Sequence, residues 1–323
     1  MPGKPVKSIQ IETCLPDAKV DQLKGLRLNE SHYDLLLGSE SIRVLKSDGS
    51  LLLHLCKNTI PYPVANEALP FILKAKEPIT NRGTAAGVQG GSAAYQQGTV
   101  LGHKTATHRI PDKLAKALGS SATVGYFDRY ARFPFCRVCR YTEQDKKGWQ
   151  KFVKVCNVVD AQFRQCAPGH YRRQKALAEA TEPAWVIGKT AFTTVTINNN
   201  FATACHKDAG DFASGFGCLA YLSTGQVKGG VLVLPKYRVA VALNSLDVLL
   251  FDVHEWHGNT EITGNKKRSD RITLVFYYRE NMIRCGSPEY ELERSKRCRD
   301  IGKLYDSPEI EKGNSIIEQC KCL

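Results

Sequence analysis

The sequence has no apolar run approaching the roughly 20 residues that a membrane-spanning helix needs. Its first ten residues, Met1 to Gln10, lack the apolar stretch of a secretory signal. We therefore expect an intracellular protein without a membrane segment, located in the nucleus if the source is eukaryotic. Acidic residues are in deficit, because 32 Asp and Glu stand against 45 Lys and Arg. The resulting formal net charge of +13 favours an anionic partner such as nucleic acid.

The 12 cysteines lack the regular spacing that identifies a disulfide framework in a small secreted protein. Reduced thiols are therefore the expectation. Cys136 and Cys139 form a CxxC motif that could hold zinc together with Cys156 and Cys166. The irregular spacing of these four residues leaves that possibility open.

Changes in composition divide the chain into three regions. Residues 1–190 predict a mixed α+β region, in which a stretch between Asn81 and Gln97 is rich in Gly, Ala and Ser and is expected to be a mobile loop. Residues 191–280 predict a β core, and residues 281–323 a peripheral polar tail. We expect the N-terminal region to pack on the core and the protein to be a monomer.

One segment, Asp128 to Lys175, carries much of the positive charge. It has 12 Lys or Arg against 4 Asp or Glu, and aromatic residues are interleaved with the charges. Such a mixture suits phosphate contact and base stacking, so the segment is a candidate for nucleic-acid binding. The alternative is an amphipathic helix whose aromatic residues face the core.

From Ala191 the sequence changes to short β-prone runs separated by turn residues. The runs are Phe192 to Ile197, Gly217 to Leu222, Gly230 to Pro235, Val239 to Leu243, Val248 to Val253 and Ile272 to Tyr278. Short strands with frequent turns indicate an antiparallel jelly roll. The predicted fold class is therefore α+β, with a jelly-roll core and flanking helices.

Candidate metal ligands lie within this β region. His206 and Asp208 are two residues apart, so on an extended backbone their side chains point to the same face. His254 and His257 are the candidates for a third ligand from a later strand. Two histidines and one carboxylate form the facial triad of non-haem iron(II) oxygenases, which leaves positions open for a co-substrate and oxygen.

Arg271 opens the apolar run that ends the β region. A guanidinium at the start of a core strand is costly unless it meets an anion, and its fork matches a carboxylate. The distal carboxylate of 2-oxoglutarate is such an anion. A structural ion pair with Asp270 or Glu280 is the alternative.

The stretch from Thr193 to Arg279 resembles the catalytic core of the TET/JBP family of nucleic-acid base dioxygenases. The resemblance rests on four elements in this order: His206-Lys207-Asp208, the Gly-rich strand Gly229 to Pro235, His257-Gly258-Asn259-Thr260, and Arg271 leading an apolar strand. It implies a double-stranded β-helix, the same jelly roll that the strand pattern predicts. It also implies dependence on iron(II), 2-oxoglutarate and oxygen.

The resemblance implies a role for each matching position. His206, Asp208 and His257 match the iron ligands, whereas His254 does not. Arg271 matches the residue that binds 2-oxoglutarate, and Thr273 can add a hydroxyl there. Asp211 matches a base-reading position, and Tyr277 an aromatic that stacks on the flipped base. Arg279 stands where relatives carry a histidine near the base.

The expected activity is oxidation of the methyl group of 5-methylcytosine in double-stranded DNA, after the base has been flipped out of the duplex. The same chemistry on N6-methyladenine or thymine is an alternative. Asp211 as an ionised acceptor favours bases with an amino group over thymine. A catalytically silent nucleic-acid-binding relative is the non-enzyme alternative, against which the full set of ligands argues. Action on a protein or a small molecule would leave the basic aromatic segment unexplained.

Overall fold

The computed structural model describes most of the chain. The described residues are 6–79, 82–87, 95–100, 103–108, 118–130, 133–263, 269–297 and 307–323. No helix among them is long and apolar enough to cross a membrane. Residues 81 and 88–94 of the Gly-rich stretch that was expected to be a mobile loop lie outside these ranges.

Helices occur along the whole described chain. The α-helices are α1 (Asp17–Asp21), α2 (Tyr62–Lys74), α3 (Arg140–Gln144), α4 (Lys146–Cys166), α5 (Pro168–Ala180), α6 (Pro288–Arg297) and α7 (Ser307–Lys321). Short 3₁₀ turns cover Glu30–His32, Gly83–Ala86, Pro183–Trp185, Pro235–Tyr237 and Glu280–Arg284. The longest helix, α4, begins after Asp145, whose side chain accepts a hydrogen bond from the backbone N–H of Gly148 at 2.9 Å and so caps the helix.

The strands form two main sheets and two small two-stranded sheets. They are β1 (Lys7–Gln10), β2 (Leu35–Leu37), β3 (Ile42–Leu45), β4 (Leu51–Cys56), β5 (Tyr95–Val100), β6 (His103–His108), β7 (Ser120–Phe127), β8 (Arg137–Val138), β9 (Thr194–Asn199), β10 (Gly217–Thr224), β11 (Lys228–Gly229), β12 (Leu232–Leu234), β13 (Val239–Val241), β14 (Val248–Phe251), β15 (Gly258–Asn259), β16 (Ile262–Thr263) and β17 (Asp270–Tyr277). Each of the six predicted β runs overlaps one of these strands.

The two main sheets face each other as the layers of a jelly roll. The larger has nine strands in the order β1-β3-β4-β14-β10-β17-β9-β7-β8, and the smaller has the order β15-β12-β13-β2. Leu219, Leu249 and Phe251 of the larger sheet pack against Leu232 and Val239 of the smaller. The predicted jelly-roll core with flanking helices is confirmed.

The opposite face of the larger sheet is covered by helices. Val195 and Ile197 of β9 and Leu274 and Phe276 of β17 share a hydrophobic cluster with Phe152 of α4. Side chains alternate between the two faces of a strand, so the neighbours of these apolar residues, such as Thr196 on β9 and Thr273 on β17, point into the jelly roll. The larger sheet therefore separates an apolar helical layer from an interior that also contains polar side chains.

The core extends beyond residues 191–280. Strands β1, β3, β4, β7 and β8 all belong to the larger sheet, and β2 extends the smaller one. The predicted boundary was drawn where β-prone runs become frequent, but strand pairing joins segments that are far apart in the sequence. The last region is also more than a polar tail, because Ile317 and Cys320 of α7 are buried in a cluster with Met282.

The aromatic residues of the helical part of the basic segment belong to the core. Phe152 and Phe163 of α4 are fully buried, and Trp149 and Tyr171 pack against the same cluster. These residues lie on the helical side of the larger sheet, so the alternative interpretation of the segment, an amphipathic helix with core-facing aromatics, describes them correctly.

The structure separates the four cysteines that were considered for zinc. Cys136 forms a disulfide with Cys285, across a Cα–Cα distance of 6.0 Å. The expectation of reduced thiols was wrong for this pair, which the sequence does not reveal because 149 positions separate the two residues. Cys139 and Cys156 are separately buried thiols.

Candidate active site

Two histidines from distant parts of the chain are joined by their backbones inside the jelly roll. The N–H of His206 donates to the carbonyl of His257 and the N–H of His257 donates to that of His206, each at 2.9 Å. Asp208 follows two residues later, and its Oδ1 lies 3.3 Å from Nε2 of His206. One ligand atom from each of the three side chains lies within 4.8 Å of the others. These residues could hold one metal ion.

Hydrogen bonds from the main chain orient both imidazoles. Nδ1 of His206 lies 2.8 Å from the carbonyl oxygen of Ala204, and Nδ1 of His257 lies 2.9 Å from that of Glu255. A carbonyl can only accept, so each Nδ1 carries the proton and donates it. Each Nε2 therefore keeps its lone pair for a metal, as is usual for a metal-bound histidine whose other ring nitrogen donates to a carbonyl oxygen.

The electrostatics of the three residues also suit a cation. Burial and the neighbouring His206 lower the pKa of His257 to about 4, so this imidazole is neutral at physiological pH. Burial would favour a neutral Asp208, but the adjacent imidazoles of His206 and His257 hold its pKa at about 2. A neutral imidazole and an ionised carboxylate are the forms that bind a divalent metal.

His254 takes no part in this cluster. Its Nδ1 lies 3.2 Å from Oδ1 of Asp252, and that carboxylate also pairs with Lys46 at 2.8 Å. The expectation that His257, rather than His254, completes the triad agrees with this geometry.

Arg271 is a buried cation whose side chain is only partly satisfied. It is 2% exposed, and one terminal nitrogen donates to the carbonyl of Gly230. Its Nε and its other terminal nitrogen have no hydrogen-bond partner among the described residues. Burial lowers the pKa of Arg271 to about 10, so it remains charged at neutral pH. An unpaired buried guanidinium is costly, and an anion would relieve that cost.

Asp270, one of the two candidates for a structural ion pair with Arg271, is engaged elsewhere. Asp270 accepts from Asn199 at 2.8 Å and from Lys76 at 3.1 Å. Gly230 leaves the space that Arg271 occupies, because a Cβ there would lie 2.3 Å from Nε of Arg271. Gly230 also has a φ of +68°, a conformation that glycine adopts readily. The arrangement fits a carboxylate ligand of the 2-oxoglutarate type.

A cavity of about 150 Å³ opens beside the three metal-ligand candidates. Its polar lining is formed by Arg82, Thr196, Asn198, Thr203, His206, Asp208, Asp211, His257, Asn259, Thr273, Tyr277 and Arg279. The site residues expected from the sequence are thus brought together here, and Arg271 lies two positions before Thr273 on the same face of β17.

Arg279 is held by an acid that the sequence analysis did not select. Its Nε donates to Oδ1 of the buried Asp128 at 2.7 Å, and its guanidinium carbon lies 4.2 Å from the ring centre of Phe127. Backbone pairing also places Asp211 opposite Arg279. Asp128 and Phe127 therefore fix where Arg279 stands at the wall of the cavity.

Several lining residues were missed by the sequence analysis, and some had a detectable signal. Thr196 and Asn198 alternate with Val195 and Ile197 on β9, a pattern typical of one polar and one apolar face. Asn259 lies two residues beyond His257 and faces the same way. Arg82 comes from a segment far from the β region, and no local pattern identifies it.

The fold and the site define an oxygenase of the iron- and 2-oxoglutarate-dependent type. Residues 122–280 match the family model Tet_JBP, described as the oxygenase domain of the 2OGFeDO superfamily. Residues 122–280 are therefore similar to the oxygenase domain of the TET/JBP family. Iron(II), 2-oxoglutarate and oxygen are accordingly its cofactor and co-substrates, in agreement with the sequence prediction.

Relatives of known name match part of the chain. It is 37% identical over 183 residues to the bifunctional helicase and thymine dioxygenase JBP2 of Trypanosoma brucei brucei, covering 55% of this chain and 16% of that protein. It is 37% identical over 210 residues to the thymine dioxygenase JBP1 of Leishmania infantum, covering 62% and 25%. The chain thus spans a quarter or less of these relatives.

A solved structure shares the fold over most of the chain. The structure of NgTET1 in complex with 5mC DNA superposes with a TM-score of 0.53 and covers 90% of both chains, at 15% sequence identity. This similarity supports the jelly-roll assignment.

We predict that His206→Ala, Asp208→Ala and His257→Ala each lose most bound iron(II) while keeping the fold, because each removes one ligand. The measurement is iron content after anaerobic reconstitution, with circular dichroism as the test of folding. His254→Ala is the matched control and should bind iron like the parent protein. Normal iron content in any of the three ligand variants would contradict the assignment.

Arg271→Ala should weaken 2-oxoglutarate binding by about 10- to 100-fold, because a charge-assisted contact contributes roughly 1.5–3 kcal/mol. Calorimetric titration of the metal-loaded protein measures this change. The affinity of Arg271→Lys for 2-oxoglutarate should lie between those of the parent protein and Arg271→Ala. Lysine keeps the positive charge but cannot make the paired hydrogen bonds of a guanidinium. Arg238→Ala, which removes a partly exposed cation paired with Asp34, is the control. Unchanged affinity in Arg271→Ala would indicate a purely structural role.

Proposed function

We propose that this chain oxidises the 5-methyl group of a pyrimidine base in DNA. The observation that carries the proposal is the combination of a three-residue metal cluster with a cavity that has a polar lining. A buried arginine lies nearby, and two of its nitrogens have no partner among the described residues. A catalytically silent relative would have no use for a buried cation with two unsatisfied nitrogens. The complete ligand set argues for an enzyme in the same way.

Each residue then has a definite task. His206, Asp208 and His257 would hold iron, and Arg271 would bind the distal carboxylate of 2-oxoglutarate, assisted by the hydroxyl of Thr273. When bound, iron with 2-oxoglutarate and oxygen supplies the oxidation of an unactivated C–H bond. The protein positions the methyl group and excludes water from the cavity.

A base stacked in a duplex cannot reach residues inside a jelly roll, so the target nucleotide must be flipped out. Tyr277 lines the cavity from β17, with its hydroxyl 3.1 Å from that of Thr196, and offers a ring on which the base can stack. Asp211 and Arg279 offer an acid and a donor for the edge of the base. These roles follow the family resemblance and are part of the proposal.

Thymine is the first candidate substrate, because the relatives from Trypanosoma brucei brucei and Leishmania infantum are named thymine dioxygenases. The argument against thymine assumed that Asp211 is ionised. Burial and the nearby charge of Asp208 raise the pKa of Asp211 well above its ordinary value. A neutral carboxylic acid both donates and accepts, so it can pair with thymine as well as with cytosine. 5-Methylcytosine is the second candidate, favoured by the fold shared with NgTET1.

The surface next to Arg279 suits DNA better than the basic helices do. The guanidinium carbon of Arg137 lies between 4.6 and 4.8 Å from the ring centres of Phe127, Tyr130 and Phe133. Arg137 is partly exposed, and it shares Phe127 with Arg279 at the cavity wall. Helix α5, by contrast, lies in the helical layer across the larger sheet. We propose that the Arg137 cluster contacts the DNA backbone beside the flipped base.

The reaction is tested with purified protein, iron(II), 2-oxoglutarate and duplexes that carry one thymine, 5-methylcytosine or N6-methyladenine. Mass spectrometry of the released nucleosides should reveal a hydroxymethyl pyrimidine. Asp211→Ala should lower its yield at least about 10-fold, because hydrogen bonds to the base are lost. Asp211→Asn, which still donates and accepts, should retain more activity. Equal rates and base preference in Asp211→Ala would exclude a base-reading role.

Arg137→Ala should weaken duplex binding and reduce the slope of log affinity against log salt by about 1, as expected for one lost phosphate contact. Fluorescence anisotropy at several salt concentrations measures the slope. Arg172→Ala on α5 is the matched control and should leave the slope unchanged. If Arg172→Ala reduces the slope and Arg137→Ala leaves it unchanged, the helical layer contacts the DNA instead.

A further inference from the structure

A second group of metal-binding side chains lies on the other side of the larger sheet. His54 and Cys56 are two residues apart on β4 and point toward the helical layer, whereas Leu53 and Leu55 point into the jelly roll. Cys166 is the last residue of α4, which packs on this face. The three residues are therefore separated from the iron-ligand candidates by the sheet itself.

The distances within this group match a tetrahedral metal site. Sγ of Cys56 lies 3.6 Å from Sγ of Cys166, and a ring nitrogen of His54 lies within 4.8 Å of both. Two thiolates bound to zinc at about 2.3 Å with tetrahedral angles stand roughly 3.8 Å apart. A disulfide would require about 2.05 Å. The sulfur atoms are thus spaced for a shared metal.

The imidazole of His54 lacks a structural explanation of its own. The residue is 8% exposed, and its Nδ1 is buried without a hydrogen-bond partner in the described part of the chain. A buried polar atom of this kind costs free energy unless something binds it. A metal ion held between His54 and the two thiols would give the imidazole a binding partner.

The local charges favour a thiolate. The hydrogen bond from Cys56, together with His54 and Arg43, lowers the pKa of Cys166 well below its usual value. The same hydrogen bond raises the pKa of Cys56. A divalent cation would balance the charge of two thiolates. Cys166 is partly exposed, which leaves room for a water molecule as the fourth ligand.

We propose that His54, Cys56 and Cys166 bind a zinc ion that fastens the end of α4 to β4. The site joins positions separated by 110 residues, and α4 supplies much of the hydrophobic cover of the larger sheet. Zinc fits because thiolate and imidazole are the ligands it takes in structural sites. Its role would be to stabilise the scaffold, independently of the oxygenase reaction.

Cobalt(II) is the probe that separates this site from the iron centre, which contains no sulfur. We expect the metal-free full chain, with its Cys136–Cys285 disulfide intact, to develop sulfur-to-cobalt charge-transfer absorption and the intense visible bands of tetrahedral cobalt. Zinc should abolish both. The exposed thiols Cys14 and Cys322 are first replaced by serine, so that they cannot bind the probe. Absence of thiolate absorption in this folded protein would overturn the proposal without any further variant.

Single variants then identify the ligands. Cys56→Ser, Cys166→Ser and His54→Ala should each abolish the charge-transfer absorption or change its intensity and coordination pattern. Cys218→Ser is the matched control, because Cys218 is a buried thiol of the same hydrophobic cluster but not of the metal-binding group. It should leave the spectrum intact. If Cys56→Ser and Cys166→Ser retain the parental spectrum, or Cys218→Ser alone loses it, the assignment is wrong.

Discussion

The alternation of side chains along β9 and β17 is the constraint on which the rest of the structure depends. Odd-numbered residues of β17, such as Arg271 and Thr273, face the interior, while Leu274 and Phe276 face the helices. A shift of one residue in strand register would exchange the two faces. The hydrophobic layer under α4 therefore enforces the register that also aligns the polar groups of the site, so stability and function rest on the same pairing.

Local patterns in the sequence predicted the parts of the molecule that depend on local spacing. The six β runs, the pairing of His206 with Asp208 and the special status of Arg271 all follow from residues close to one another in the chain. The partners brought by long-range pairing could not be predicted in this way. Strand β7 joins β9 across more than sixty residues, and Asp128 reaches Arg279 only through that sheet.

Counting charges identified a basic segment but not the face of the molecule that it occupies. Helix α4 uses its apolar side to cover the larger sheet, so Phe152 and Phe163 serve the core. The short stretch before it behaves differently, because Tyr130 and Phe133 surround Arg137 close to the cavity. One continuous stretch of similar composition is thus divided between a structural layer and the rim of the site, a division that depends on tertiary contacts.

The reciprocal backbone hydrogen bonds between His206 and His257 have a consequence for metal selectivity. The two imidazoles are held at their spacing by the peptide chain, so little rearrangement is needed when an ion arrives. A preformed site cannot discriminate by adapting its shape to one metal, and the intrinsic order of stability then ranks copper and zinc above iron(II). Correct loading would depend on which ions the surroundings supply, and zinc in excess would compete for the oxygenase centre.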